Sequence, residues 1–245
     1  VKLVSMAGTS NLDGTTIPIR EIAKMVHESS ALLMIDGAQY VPHHETDVKR
    51  LGVDFLAFSG HKMMGPSGTG VLYGKEDLLN SLPPFLTGGE TVTDSTYTTA
   101  QFEKAPHRFE AGLQNYAGII GLGEAARYIR KIGLGNIAAH ELAINKRITE
   151  ALLPERKLTL VGPARPELRG SIFSFNIEGM SSHDVAMILD SSKNIAIRSG
   201  AHCVHSWFNA HSLKGCARAS FYAYNTLEEA GVFVEAVKAI IRHVR

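Results

Sequence analysis

The chain has 245 residues, of which 44% are hydrophobic and 20% charged, with a formal net charge of +1 at pH 7. A charge so close to zero gives no electrostatic footprint for nucleic acid or for an anionic membrane surface. No apolar run reaches the ~20 residues that a transmembrane helix needs. Two cysteines, Cys203 and Cys216, are too few for a disulfide framework. We therefore expect a globular, cytoplasmic protein with neither nucleic-acid nor membrane partners.

The first part of the chain alternates between predicted strands and a predicted helix. Strands are expected at 2–7, 31–35, 53–58 and 70–73, and a helix at 19–28. The run 31–35 is wholly apolar, which is typical of a strand covered on both faces. This rhythm predicts an α/β domain with a largely parallel sheet, in which ligands bind at the carboxyl ends of the strands.

The later part of the chain predicts a second, α+β unit. A long loop is expected at 82–107, followed by helices at 115–132 and 136–153. The remaining predicted strands are 158–161, 171–177, 195–198 and 217–222. The remaining predicted helices are 183–191, with Ser182 as N-cap, and 227–244, with Thr226 as N-cap. We predict a first domain at 1–126 and a smaller second domain at 127–245.

Lys62 follows the third predicted strand and precedes a glycine-rich turn. A lysine in such a turn is by default a surface charge, but its neighbours favour a covalent anchor for pyridoxal 5'-phosphate. Asp36, at the end of the second strand, could hold the pyridine nitrogen, and Gln39 could donate to the ring phenolate oxygen. Ser59 and His61 could hold the phosphate. Together these residues predict a pyridoxal phosphate site.

Cys203 lies in the segment RSGAHC at 198–203, near one arginine and two histidines. A lone cysteine is often a small buried hydrophobe, but positive neighbours such as Arg198, His202 and His205 favour the reactive thiolate. We therefore predict a nucleophile at Cys203 and a structural role for Cys216. A zinc site is disfavoured, because no second ligand pair has zinc spacing.

Arg198 and Arg218 lie in mostly apolar predicted strands, where an unpaired charge is costly. Internal salt bridges would satisfy them, and so would a substrate carboxylate, whose geometry the guanidinium fork matches. Asn11 follows the first predicted strand. It is either a turn former or a contact for substrate or cofactor.

Taken together, these motifs resemble the cysteine desulfurases of the SufS-like group, within the class V aminotransferase family of fold-type I, pyridoxal phosphate-dependent enzymes. The resemblance extends over essentially the whole chain. The matching stretches, in family order, are 10–11 with 14–15, 36–39, 59–62 with 65–66, 108–112, 198–203, and 218–220 with 224–226.

The resemblance implies the conversion of L-cysteine, or of L-selenocysteine, to L-alanine, with the removed sulfur left as a persulfide on Cys203. It implies a large pyridoxal phosphate-binding domain and a small α+β domain. The residues that it implicates are Lys62, Asp36 and Gln39 for the covalent bond and ring of the cofactor, Ser59 and His61 for its phosphate, Asn11 for cofactor and substrate, and Arg198 and Arg218 for the substrate carboxylate.

The implied partners are a second copy of the chain, in a homodimer, and sulfur acceptor or iron–sulfur scaffold proteins. Where the family has a threonine that reaches the phosphate of the neighbouring subunit, this chain has Leu113, so that Gln114 or a backbone group would have to substitute. The chain also lacks the family's N-terminal part, and we expect it to be truncated there. The alternatives are a selenocysteine lyase, another class V aminotransferase-like enzyme, or a non-catalytic scaffold.

Overall fold

The computed structural model describes residues 1–244. Contacts divide the chain into two compact units. The first comprises Val1–Ala7, Pro18–Pro42 and Thr46–Lys131, and the second comprises Gly8–Ile17, His43–Glu45 and the chain from Ile132 onwards. The boundary predicted between 126 and 127 falls inside a continuous helix, Tyr116–Ile132. Two short early segments thus group with the second unit, which no composition shift in the sequence indicates.

A four-stranded sheet forms the centre of the first unit. Its strands, in spatial order, are β1 (Leu3–Ala7), β2 (Leu32–Asp36), β3 (Phe55–Ser59) and β4 (Gly70–Gly74). The pairs β1/β2 and β2/β3 are parallel, and β3/β4 is antiparallel. Helix α1 (Ile19–Glu28) precedes β2, and the short helix α2 (Val48–Leu51) precedes β3. The predicted α/β character and largely parallel sheet are confirmed.

Side-chain burial explains why these segments form a layered unit. Leu33 and Ile35 of β2 are fully buried, in alternation with half-buried neighbours. Helix α1 contacts β2 and buries Ile19, Ala23 and Val26 along one face. The apolar stripe of α1 therefore covers the sheet that carries the strand ends described below.

The prediction of a long loop at 82–107 is wrong in part. After helix α3 (Glu76–Ser81), the chain forms a hairpin of β5 (Val92–Ser95) and β6 (Ala100–Phe102). Its threonine-rich turn is closed by a bond from Thr96 N to Thr99 O of 2.9 Å. β-branched residues favour this extended pairing although the hairpin is mostly exposed. Helix α4 (Tyr116–Ile132) follows.

The second unit contains an antiparallel sheet in the order β7-β8-β10-β9. Its elements in chain order are α5 (Leu134–Leu152), β7 (Leu158–Val161), β8 (Ile172–Ile177), α6 (Ser182–Lys193), β9 (Arg198–Gly200), α7 (His205–Ala210), β10 (Cys216–Ser220) and α8 (Leu227–His243). Phe173, Phe175 and Phe233 lie at the centre of its core. The predicted α+β unit is thus present.

Three local predictions for this unit can be compared with the structure. Thr226 caps α8 in a capping box with Glu229, as predicted. The N-cap of α6 is Ser181, not Ser182, because Ser181 stays extended while its hydroxyl accepts from Asp184 N. The strand predicted at 195–198 instead spans Arg198–Gly200, since pairing with β10 starts only at Arg198.

Within residues 1–244, no helix is long and apolar enough to cross a membrane.

Candidate active site

In the first unit, polar side chains gather where the parallel strands end. Asp36, the last residue of β2, pairs with Ala7 of β1 and with Ala57 of β3. Its side chain is exposed, and Oδ1 accepts a hydrogen bond of 2.9 Å from Ala38 N. The chain after it is held to β3 by a 2.7 Å bond from Gly37 N to Ala57 O. A carboxylate is thereby fixed at the carboxyl edge of the sheet.

Lys62 lies in a tight turn immediately after β3. The turn is a single 3₁₀ element, Gly60–Met63, anchored inward by the buried side chain of Met63. It is closed at its end by Gly65 N, which donates to Gly60 O at 2.9 Å. Lys62 itself is half-buried. Lys62 therefore lies in a turn at the same sheet edge as Asp36.

Gly60 shows how closely this turn is packed. Its N–H donates to Thr69 O at 2.8 Å, and a Cβ at this position would lie 2.1 Å from Thr69 Oγ1. The Thr69 hydroxyl donates in turn to Pro66 O at 2.6 Å. A side chain at position 60 would therefore require the hydrogen-bonded Thr69 to shift. Thr69 is a supporting residue that sequence reasoning missed, although the glycine-rich run around it was visible.

In the second unit, Cys203 follows the edge strand β9 and its thiol is exposed. The guanidinium Nη2 of Arg198 lies 3.7 Å from Cys203 Sγ. Arg198 begins β9, three residues before the turn that carries the cysteine, and it is exposed. The arginine thus supplies the positive neighbour that was predicted for the thiol.

His202 holds the cysteine segment in an unusual backbone conformation. His202 and Cys203 have φ values of 48° and 66°, both in the left-handed region. The His202 carbonyl accepts a 2.7 Å bond from Asn11 Nδ2, and its Nε2 lies 3.0 Å from Cys216 O. One residue is therefore tied down at both its backbone and its side chain.

The imidazole of His202 does not supply the positive charge that the sequence suggested. Burial, with Arg218 nearby, lowers the pKa of His202 to about 4. The side chain is 2% exposed. Because Cys216 O can only accept, Nε2 carries the proton of the neutral ring. Arg198 is thus the cation beside the cysteine at neutral pH.

Arg198 and Arg218 face each other in register across β9 and β10. Arg218 Nη1 donates to Asn11 O at 2.6 Å, while its buried Nε has no hydrogen-bond partner among residues 1–244. Burial, followed by the charge of Arg198, lowers the pKa of Arg218. A bound anion would accept a hydrogen bond from Arg218 Nε and would offset the charges of both guanidinium groups.

Cys216 differs from Cys203 in its exposure to solvent. It is fully buried in β10. Burial raises the pKa of its thiol to about 11. Cys216 therefore stays a protonated thiol at neutral pH, in agreement with the structural role predicted for it.

The structure also bears on the missing threonine at Leu113. The Leu113 side chain is 92% exposed and offers no hydroxyl. Gln114 Nε2 donates to Glu110 O at 2.9 Å and to Gly112 O at 3.0 Å, so both of its amide hydrogens serve its own turn. In this conformation Gln114 has no donor left for a phosphate. The suggestion that Gln114 replaces the threonine in a phosphate contact is therefore not supported. A backbone group remains as the other alternative for that contact.

The predicted site residues fall into two groups. The first unit contains Asp36, Gln39, Ser59, His61 and Lys62, and the second unit contains Asn11, Arg198, Cys203 and Arg218. Asn11 belongs with the cysteine segment through its bond to His202. That bond had no signal in the sequence, because it joins residues 191 positions apart.

The family model described as "Aminotransferase class-V" matches residues 1–233. The chain belongs to the aminotransferase class-V family. Family members depend on pyridoxal 5'-phosphate, and the architecture is that of fold-type I enzymes, as predicted.

Relatives within this family bear out the resemblance to cysteine desulfurases. The chain is 41% identical, over 97% of its length, to "Probable cysteine desulfurase 2" of Mycobacterium leprae. It matches the apo structure of the Thermococcus onnurineus cysteine desulfurase with a TM-score of 0.94 at 39% identity over 98% of this chain. The match to the Escherichia coli cysteine desulfurase CsdA has a TM-score of 0.92 at 30% identity over 100% of this chain. The chain spans 56% of the length of the first protein and 60% of each of the other two.

The donors at the sheet edge of the first unit fit the family's cofactor. An exposed carboxylate at Asp36 suits a pyridinium nitrogen, and the amine of Lys62 suits an aldehyde. The half-buried hydroxyl of Ser59 and the exposed imidazole of His61 suit a phosphate. Gln39, half-buried after β2, adds an amide. This class V aminotransferase chain thus carries the complementary groups on consecutive strand ends.

Proposed function

We propose that this chain belongs to a pyridoxal phosphate-dependent cysteine desulfurase of the SufS-like group, which converts L-cysteine to L-alanine. The observation that carries the proposal is the exposed Cys203 thiol with Arg198 Nη2 at 3.7 Å. An exposed thiol in this loop favours sulfur or selenium chemistry over transamination. The names of the relatives agree with this assignment.

Lys62, Asp36, Gln39, Ser59, His61 and Asn11 are the residues proposed to hold pyridoxal phosphate. When bound, this cofactor withdraws electrons from the substrate and so weakens the bonds around its α-carbon. Lys62 would form the covalent attachment and exchange protons at its amine, while Asp36 holds a positive charge on the ring nitrogen. The rigid turn at Gly60–Met63 would keep the amine in place between cycles.

Asn11, Arg198 and Arg218 are the residues proposed to receive the substrate carboxylate. The unpartnered Nε of Arg218 supports this role, because a carboxylate would satisfy it. The charge of the carboxylate would also relieve the repulsion between two guanidinium groups in register. Binding of the anion and orientation of the substrate would thus come from the same contacts.

Cys203 is the proposed sulfur acceptor. Its thiolate attacks the sulfur of L-cysteine, and the new S–S bond forms as the substrate C–S bond breaks. The carbon keeps the electron pair and takes up a proton. One substrate molecule and one thiol therefore give one L-alanine and one persulfide, without any external oxidant or reductant.

The assembly and cellular role are proposed on the same resemblance. We infer a cytoplasmic homodimer that supplies sulfur to acceptor or iron–sulfur scaffold proteins. The exposed apolar residues Tyr116, Ile119 and Ile120 at the start of α4 support a covered surface there. L-Selenocysteine is the alternative substrate, since the same thiol geometry serves selenium.

The experiment measures cofactor attachment and sulfur release separately. Protein supplied with pyridoxal phosphate should turn yellow, and borohydride reduction should leave a pyridoxyl group on the Lys62 peptide. With L-cysteine and dithiothreitol it should form sulfide and alanine in equal amounts. Cys203→Ser should lose sulfide release and keep the colour, whereas Cys216→Ala should keep both.

Each alternative has its own outcome. Colour without sulfide in the unmodified protein would indicate an aminotransferase, and a strong preference for L-selenocysteine would indicate a lyase for that substrate. No label on Lys62 would point to the non-catalytic scaffold. Undiminished sulfide release by Cys203→Ser would refute the proposed role of the cysteine.

A further inference from the structure

The cysteine segment is held in a backbone conformation that is uncommon for residues other than glycine. His202 and Cys203 are successive non-glycine residues with φ values of 48° and 66°. Side chains in the left-handed region crowd the backbone, so such residues persist only where the surrounding structure holds them. Two in succession, at an exposed thiol, call for specific contacts that keep the backbone there.

Those contacts converge on His202. Asn11 Nδ2 donates to the carbonyl of His202 at 2.7 Å, and Nε2 of His202 donates to Cys216 O at 3.0 Å. Asn11 is itself held, because Arg218 Nη1 donates to its carbonyl at 2.6 Å. Cys216 and Arg218 both belong to β10. The bonds thus form a closed circuit that ties the residue before the cysteine to one rigid strand.

The chemistry of the ring excludes a more direct role for His202. Its Nε2–H is committed to a backbone carbonyl. Its Nδ1 is buried and has no partner within the part of the chain that the structure describes. A base for the substrate or for the cysteine would have to reach them through an accessible nitrogen. His202 can therefore affect Cys203 only through the backbone that they share.

We propose that His202 is a positioning residue, which together with Asn11 clamps the segment so that the Cys203 thiol stays exposed and next to Arg198. The inference deepens the proposed function, since it rests on Cys203 as the sulfur acceptor. For Asn11 it adds a second role, because a side chain predicted to contact ligands also holds the nucleophile. Without the clamp, residue 203 would relax out of the left-handed region and move its sulfur away from the arginine.

The test uses thiol alkylation, which needs neither cofactor nor substrate. Iodoacetamide is neutral, so Arg198 does not steer it by charge, and we expect the alkylation rate of Cys203 to depend on the contact between its thiol and Arg198. Mass spectrometry follows both cysteines in the same sample. Exposed Cys203 reports on the segment, and buried Cys216 reports on the integrity of the unit.

Three substitutions of His202 separate the hydrogen bond from the backbone conformation. His202→Gln can place an amide N–H where Nε2 lies, so its Cys203 should react at the wild-type rate. His202→Ala loses the bond. His202→Asn is too short for the bond but tolerates the left-handed region. Both should slow Cys203 alkylation about threefold, the size of one exposed charge contact. Asn11→Ala should do the same.

Three further variants complete the test, one of them a control. His211→Ala also removes an imidazole–carbonyl contact, from Nδ1 to Trp207 O at 2.8 Å, but lies outside the circuit and should change nothing. Arg198→Gln should slow Cys203 by about the same factor as His202→Ala, and the double variant should be no slower than Arg198→Gln alone. Such non-additivity is expected only if His202 acts by placing the thiol beside Arg198.

The proposal is overturned if His202→Ala reacts at the wild-type rate or faster, if His202→Gln is as slow as His202→Ala, or if the double variant is additive. Exposure of Cys216 in both His202→Ala and Asn11→Ala would show that the bonds hold the whole unit together, and would overturn it as well. Because the assay contains no L-cysteine, failure of the proposed desulfurase activity would leave these outcomes unchanged.

Discussion

Arg198 and Arg218 lie directly opposite each other on β9 and β10. Neither guanidinium has a salt bridge to a carboxylate anywhere in residues 1–244. Like charges in register on a sheet repel each other. Arg198 Nη2 also lies 3.7 Å from the exposed thiol of Cys203. We propose that this pair of guanidinium groups in the second unit binds the substrate carboxylate beside that thiol.

We predict that Arg218→Lys raises the KM for L-cysteine about tenfold or more, because a planar fork that binds a carboxylate through two N–H groups is replaced by a point charge. The kcat should change less. Steady-state kinetics of sulfide release gives both values. Arg165→Lys, an exposed arginine of the same unit, is the control and should behave like wild type. An unchanged KM in Arg218→Lys would remove Arg218 from the substrate site.

Gly60→Ala should destabilise the turn that carries Lys62 by about 1–3 kcal/mol through overpacking. The reason is the 2.1 Å approach of the new Cβ to Thr69 Oγ1. Urea unfolding measures the loss. Adding Thr69→Ala removes the clashing oxygen and should recover a large part of the lost unfolding free energy. Thr69→Ser keeps the oxygen, so it should not recover that stability. Equal stabilities of the two double variants would contradict this packing.

Asp54 should make the stability of the first unit depend on acid pH. It is buried and accepts hydrogen bonds from Lys75 Nζ at 2.6 Å, Leu33 N at 2.8 Å and His27 Nε2 at 2.9 Å. Burial alone would raise the pKa of Asp54, but these bonds outweigh it and lower the pKa. The stabilisation is therefore complete above the unfolded-state pKa of about 4 and is lost as pH falls through the folded-state value.

Asp54→Asn should accordingly cost about 3 kcal/mol at pH 7, as expected when one member of a buried ionic network is removed. The difference from wild type should shrink below pH 4. Urea unfolding at several pH values measures both effects. Asp47→Asn is the control, because Asp47 is an exposed N-cap where asparagine is an equally good cap. A constant difference at all pH values would rule out ionised Asp54 as the source.

Glu141 should make stability depend on pH in the direction opposite to that of Asp54. It is buried on α5, with Oε1 2.7 Å from His43 Nδ1. Burial raises the pKa of Glu141 in spite of the opposing effect of His43. A raised carboxyl pKa means that stability is highest below the unfolded-state value of about 4.3 and falls as pH rises through the folded-state value. Glu141→Gln should abolish this fall, so its unfolding free energy between pH 4.5 and 8 should be flatter than that of wild type. Parallel curves would contradict the assignment.

Local patterns predicted much of the fold. The apolar run before Asp36 predicted β2, and Thr226 predicted the start of α8 because a cap acts on its own first turn. β9 was misplaced because three residues carry too little pattern, and its bounds depend on pairing with β10. The hairpin at β5 and β6 was missed for the same reason.

The same distinction between local and long-range signals applies to the candidate site. Lys62 and Cys203 were predicted from short motifs whose chemistry is local. The bond between Asn11 and His202 was not predicted, because it joins residues 191 positions apart and depends on how the folded chain brings these two segments together. The charge of His202 was misjudged because burial, which the sequence does not reveal, keeps the ring neutral.

The shortness of the segment after β9 limits how far a sulfur atom on Cys203 can travel. β9 ends at Gly200, and the cysteine is the third residue beyond it. Three residues span about 10 Å when fully extended. Even if released from its hydrogen bonds, the segment could not move the thiol much farther than that from the end of β9. If Cys203 accepts sulfur as proposed, a receiving protein would have to bring its own reactive group to this surface.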